Sequence, residues 1–293
     1  EVARALASTA AAGSALDWTW GFPLRRELFE QVTLVDLDRA TGDRPVYLST
    51  GDGHHALVNT ALIRSLPPEA AAAALAADGR LHEQVAQQVW RALPPVRIER
   101  LKPLLIGVLG RLQRQGITEV HSMAASMSLY YALVALEREG RLPVRCMLFF
   151  DGLLPEGQAL LRPPPPPPPP GAPPAASRRD VAPPTRMVRV AGVKFWLDGT
   201  LAGATAALGG AYADLGREVT PIHDDATVAG WIRAADRARV QIAFHAVGDA
   251  AVGQVVRVLD RLKRREGARP VRIEHATVVA SEHLAELGRL GVE

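Results

Sequence analysis

From Gly116 to Gly291 short apolar runs alternate with amphipathic segments, and this rhythm constrains the fold more than any single motif. "GITEVHSM" reads as a strand, "SLYYALVALEREG" as a helix stopped by Gly140, and "VRCMLFF" as a strand. "VRVAGVKFWLDG" is a strand, "DATVAGWIRAADRA" a helix and "VQIAFHAVG" a strand. "DAAVGQVVRVLDRLKRREG", "VRIEHA" and "ASEHLAELGRLG" continue as helix, strand, helix. Such alternation with short connections builds a parallel sheet with helices outside it. No glycine-rich dinucleotide fingerprint or phosphate loop follows any of these strands. The expected fold is therefore α/β, a TIM-like (β/α)8 barrel rather than a doubly wound sheet, because polar residues recur at the C-terminal strand ends.

The first hundred residues are less regular. Residues 2–12 read as an Ala-rich helix, "LDWTWGFP" as a short strand or turn, and Pro45 to Ser49 as a strand. A Gly-Asp-Gly loop follows, with a helix expected to begin near His55. Pro68 to Leu93 looks helical with a break at Asp78-Gly79, and Leu101, Leu104, Leu105, Val108 and Leu112 have the spacing of an amphipathic helix. The rhythm breaks at residues 160–184, where Pro163 to Pro170 are eight consecutive prolines. Such a run joins neither ladder nor helix and should form an exposed polyproline II rod. The chain thus reads as one barrel domain over residues 1–293 with a Pro-rich loop insertion.

Composition excludes several function classes. Of 293 residues 48% are hydrophobic and 22% charged, which is ordinary for a globular chain with a large core. The net charge of +3 comes from scattered arginines, and Lys263-Arg264-Arg265 reads as a solvated helix end. Basic residues alternate with acids and no aromatic stacking platform accompanies them, so no nucleic-acid partner is expected. No apolar run reaches membrane-spanning length, no signal peptide is visible, and no membrane partner is expected. The single cysteine, Cys146, rules out an intramolecular disulfide framework and fits a reducing, cytoplasmic location. The chain begins at Glu1 as if midway through a helix and ends in "LGVE" as if entering a strand. Both ends read as cut from a longer architecture. An open sheet edge would then favour association, so a homo-oligomer stays open.

The strand ends carry the chemistry. Lys194 interrupts the apolar run Val188–Leu197 and is costly there unless something takes its charge or its proton. His121, Lys194 with Asp198, His245 with Asp249, and Glu274 with His275 stand at or near four strand ends. Lys194, His245 and His275 lie on successive strands and would converge at one barrel rim. Neutral imidazole is a good ligand for zinc and similar metals. A protonated lysine repels a cation, whereas a lysine carboxylated by carbon dioxide offers two anionic oxygens. Each histidine alone is more often a packed, hydrogen-bonded residue than a ligand, and Lys194 alone could be a snorkelling chain or a partner of Asp198. The ordered set of lysine, "HAVGD" and "EHA" is what makes a shared site the better reading.

With these segments the chain resembles the amidohydrolase superfamily, in the branch called amidohydrolase family 3, which includes N-substituted formamide deformylase-like proteins. The matching stretches are "PVYLSTGDGHHALVNTALI", "GITEVH", "VKFWLDGTLAGATAAL", "FHAVGDAAV" and "RIEHATVVASEHLAELGRLGV". The resemblance implies a TIM-like barrel and a divalent-metal-dependent hydrolase, with zinc the expected ion, acting on C–N bonds of a small amide-like substrate. Lys194 matches a lysine expected to be carboxylated and metal-bridging, and His245 and His275 match metal histidines. His54 and Asn59 match a motif lining the substrate pocket, and His121 and Asp198 are the further expected substrate contacts. The chain departs from the family pattern in having no His-x-His pair and no final strand with its general-base aspartate. Ala204 and Ala250 stand where the family commonly has arginine. The site is therefore expected to be partial, and a non-catalytic barrel serving as a binding scaffold is the alternative.

Overall fold

The computed structural model describes residues 18–51, 53–94, 96–163 and 185–293. The expected helix over residues 2–12 and most of the proline-rich insertion lie outside these residues. The chain divides into two compact units, residues 1–100 and 101–293, each with its own sheet.

In the first unit β1 (Thr19–Leu24) is followed by α1 (Arg26–Gln31), α2 (Leu34–Thr41), β2 (Val46–Thr50) and β3 (His55–Val58). Then come α3 (Thr60–Ser65), α4 (Pro68–Ala76), β4 (Arg80–His82) and α5 (Glu83–Ala92). The sheet order is β1-β2-β3-β4. β1 pairs parallel to β2, while β2, β3 and β4 pair antiparallel. His55 thus opens a strand, not the expected helix. Apolar runs on either side of an Asp-Gly dipeptide are a hairpin signal in the sequence, and Ser49 pairs with Ala56 across the two antiparallel strands. The helix starts five residues later, where Asn59 caps it by accepting from the Leu62 amide at 3.0 Å. The expected break at Asp78-Gly79 is real. Gly79 has φ +69, and a Cβ there would lie 2.5 Å from the Val58 carbonyl oxygen.

The second sheet follows α6 (Ile98–Arg114). Its elements are β5 (Glu119–Ala125), α7 (Met127–Arg138), β6 (Arg145–Asp151), α8 (Pro155–Leu161) and β7 (Val188–Trp196). They continue through α9 (Asp225–Ala238), β8 (Gln241–Ala246), α10 (Asp249–Arg261), β9 (Val271–His275) and α11 (Ser281–Arg289). All four pairings in the order β5-β6-β7-β8-β9 are parallel, which matches the rhythm of the sequence. The parallel sheet is confined to this unit and has five strands. Residues 160 and 161 of the expected insertion belong to α8.

One face of each strand packs under the helices. Phe150, Val193, Phe195, Ile242, Phe244 and Val271 join Leu133, Ile232, Val252 and Val255 in one core. Phe195 stacks on Trp231 of α9 with ring centroids 4.0 Å apart. Alternation sends the intervening residues to the opposite face. The registers Asp151↔Lys194, Lys194↔Ala243 and Ala243↔Arg272 therefore set a charged row on that side. His121 of β5 lies 2.8 Å from Arg272 of β9, although these are the first and last strands of the order. Strands spaced ~4.8 Å apart would place the edges of a flat five-stranded sheet ~19 Å apart. The sheet is therefore curled, and the charged row lies on its concave face.

Candidate metal and hydrolase site

Lys194 is the last-but-two residue of β7 and is 1% exposed. Among the described residues its Nζ makes no hydrogen bond or ion pair. Burial pushes the amine down to about 8, with the Glu274 carboxylate opposing and the Arg272 guanidinium reinforcing that shift. Glu274 is not available as its direct counterion, because its carboxylate is held by Arg272. Arg272 also donates to His121 Nδ1, which leaves the His121 proton on Nε2, 3.0 Å from Glu119.

On the next strand His245 is buried, and its Nε2 lies 2.8 Å from the Gly199 carbonyl oxygen. A carbonyl only accepts, so Nε2 carries the proton and the lone pair is on Nδ1. His275 ends β9 with φ +79, followed by Ala276 at +42. Its register partner Ala246 points into the helix-covered core, and strict alternation would send His275 the same way. The left-handed backbone breaks that alternation, and the His275 ring meets the His245 ring edge-on at 4.6 Å.

Asp198, just past β7, holds the loops around this pair. Its Oδ2 accepts from Ala207 N at 3.0 Å and Gly248 N at 2.8 Å, and its Oδ1 from Val247 N at 2.9 Å. The same Oδ1 is 3.7 Å from His245 Nε2. Gly248 must be glycine here, since a Cβ would lie 1.9 Å from the Ala207 carbonyl oxygen.

The structure thus brings Lys194, Asp198, His245 and His275 to the C-terminal ends of β7, β8 and β9. His121 is on the concave face of the same sheet but third in β5, toward its start, because the strand continues through Ala125. His54 and Asn59 belong to the first unit. His54 Nδ1 is 2.8 Å from Glu83. Asn59 donates to Thr41 Oγ1 and the Arg44 carbonyl, and accepts from the amides of Val46 and Leu62. Replacing Asn59 with Ala would remove a cap and leave the buried amides of Val46 and Leu62 without their acceptor. The expected loss is about 2–3 kcal/mol, read as a lower denaturant midpoint.

Two site residues escaped the sequence reading. Asp151 ends β6 beside Lys194, nearly buried, and the rule that found the other strand-end groups would have found it. Arg272 carried no local signal. Cys146 is buried and its thiol is pushed up to about 12, chiefly by burial, so it is no thiolate nucleophile.

Two imidazoles suit a divalent metal in kind. In number they fall short: a catalytic zinc takes three protein ligands, and among the described residues no group of three His, Cys, Asp or Glu side chains could hold an ion. Lys194 completes a set of three only as a carbamate. No helix among the described residues is long and apolar enough to cross a membrane.

Comparison with known proteins places this geometry. YtcJ of Bacillus subtilis (strain 168), which carries the name amidohydrolase, is 26% identical over 299 residues, covering 94% of this chain and 52% of that protein. Two solved structures share the fold. An uncharacterized metal-dependent hydrolase from Pyrococcus horikoshii OT3 has a TM-score of 0.70 and 20% identity, covering 99% of this chain and 56% of that one. Another from Pyrococcus furiosus has a TM-score of 0.67 and 24% identity, covering 99% and 57%. The chain spans about half the length of each. The model of the amidohydrolase family known as Amidohydro_3 matches residues 1–293, and the chain belongs to that family.

Proposed function

We propose that this chain supplies part of the active site of a hydrolase that cleaves C–N bonds of small amide-like substrates with metal-activated water, the metal being zinc. One observation carries the reading: a buried lysine amine with no hydrogen bond or ion pair among the described residues, beside an edge-on histidine pair, on three successive parallel strands. The family membership and the metal-dependent hydrolases of like fold support it.

Lys194, His245 and His275 would hold the ion. A divalent cation bound there supplies Lewis-acid polarisation of the carbonyl and a lowered pKa for water. With its amine near 8, about a tenth of Lys194 is unprotonated at pH 7. That neutral amine adds carbon dioxide, forming an N–C bond and releasing a proton, and the product is an anion with two ligating oxygens. Arg272 keeps Glu274 engaged, so this carboxylate stays out of proton transfer. His121, on the concave face of the same sheet, is a substrate contact in this reading. Asn59 and Asp198 act through the backbone they hold. The full barrel, with the remaining ligands, belongs to the same proposal.

The test compares this chain with a longer protein expressed from the surrounding reading frame. The longer protein should bind metal and hydrolyse amide-like substrates, and K194A, H245A and H275A should each reduce turnover at least roughly a hundredfold. An intact-mass increment of one carboxyl group on Lys194 is expected in bicarbonate. Full activity in K194A, or a longer protein with neither metal nor hydrolysis, would overturn the reading in favour of a scaffold.

A further inference from the structure

Three of the chain's five tryptophans, Trp18, Trp20 and Trp90, meet in the first unit. Trp20 and Phe22 project from the same side of β1, as residues two apart in a strand do, with ring centroids 6.0 Å apart. Trp90, near the end of α5, continues the row at 5.4 Å from Trp20. Trp20, Phe22 and Trp90 are 50%, 58% and 44% exposed. Behind them the buried Trp18 and Tyr47 rings support Trp90 at 6.1 and 5.3 Å. The Trp20 indole N–H donates to Ser49 Oγ at 3.1 Å, which fixes that ring. The row is therefore a preformed aromatic surface that has little left to order when a ligand binds.

The chemistry of this surface selects its ligand. The Trp90 N–H makes no hydrogen bond among the described residues, so the row offers apolar ring faces and one donor. A run of prolines is the complement, with ring surface, carbonyl acceptors and no N–H to satisfy. Consecutive prolines take the polyproline II form, which is stiff before it binds and docks on aromatic-lined surfaces. One turn of that helix is roughly 9 Å long, which two steps between neighbouring rings cover, and eight prolines extend for roughly 25 Å. A sugar would need several hydroxyl partners, and the Trp20 N–H and Ser49 Oγ are engaged with each other. The chain itself carries the matching ligand, eight consecutive prolines from Pro163 to Pro170.

We propose that the Trp90–Trp20–Phe22 row docks the Pro163–Pro170 run of a second copy of this chain. Row and run are different surfaces, so the contact is head-to-tail rather than two-fold. It does not depend on the chemistry of the candidate metal centre.

Two measurements on the full chain test this. In dilute solution, a synthetic peptide of residues 161–174 should change the tryptophan fluorescence saturably, and a Gly-Ser peptide of equal length should not. Phe22→Ser removes the most exposed ring and should weaken peptide binding at least roughly tenfold. Trp90→Phe keeps a ring but removes the donor, and should weaken it about threefold or more. If Phe22→Ser does not fold, Trp90→Phe alone decides, with weaker binding supporting the row and unchanged binding overturning it. In sedimentation, the average mass of the wild-type chain should rise with concentration, and replacing Pro163–Pro170 with Gly-Ser should abolish that rise. No peptide binding, equal binding of the Gly-Ser peptide, or full affinity in Phe22→Ser would each overturn the proposal. Peptide binding by a chain whose mass stays constant with concentration would overturn the second copy as the occupant.

Discussion

Asp198→Ala is expected to destabilise the second unit by about 3–5 kcal/mol, lowering its melting temperature by roughly 10 °C. The carboxylate is fully buried and takes three backbone amides, those of Ala207, Val247 and Gly248. Truncation leaves three buried donors without an acceptor, and each orphaned group costs about 1–3 kcal/mol. Two of those amides begin the turn from β8 into α10, and the third anchors the loop after β7. Losing them should also release the Gly199 carbonyl that fixes His245. Asp198→Asn separates shape from chemistry. It keeps the volume, but its amide group donates where the backbone also donates, so it should recover less than half the loss. Calorimetric melting of the two variants beside wild type checks both values. A loss below about 1 kcal/mol for Asp198→Ala would show that water or loop movement satisfies the three amides instead.

Lys194→Met is expected to move stability the other way. Methionine fills nearly the same volume without the charge. The folded amine titrates at about 8, while in the unfolded chain it keeps its ordinary value near 10.4. Between these pH values the unfolded chain binds more protons than the folded one, so wild-type stability rises with pH across that window. Below pH 8 the amine is charged in both states and its burial costs on the order of 3 kcal/mol. In carbonate-free, metal-free buffer the methionine variant should therefore be the more stable protein at pH 7, by about that amount. The difference should shrink from pH 8 upward and vanish near pH 10.5. Urea denaturation of both proteins at several pH values reads this directly, since other titrating groups cancel in the difference. A pH-independent gap, or a less stable methionine variant at pH 7, would refute the burial penalty. Bicarbonate with metal should reverse the order at pH 7 if Lys194 is a ligand.

Much of the second unit was legible in the sequence. The helix over Asp225–Ala238 follows from its apolar stripe and from Asp224, whose side chain accepts the Thr227 amide at 2.7 Å. The five strands were marked by apolar runs of strand length between turn residues. The first unit was harder. His55–Val58 continues directly into a helix, and a four-residue strand has too little periodicity to separate from it. β4 is only three residues long and is a strand because Ala56 faces Leu81 across the ladder. Nothing local to "RLH" announces that pairing.

By itself the sequence determined the order of strands and helices in residues 116–291, the placing of Lys194, His245 and His275 on successive strands, and family membership. Those properties depend on periodicity, capping and short motifs, which act over a few residues. Only the tertiary structure decided that the sheet curls, that Arg272 reaches His121 across 151 positions of chain, and that Glu274 is engaged rather than free. It also decided that His275 turns back onto His245 through its left-handed backbone. Such contacts join residues remote along the chain. Their geometry comes from strand curvature and close packing, which no short stretch of sequence encodes.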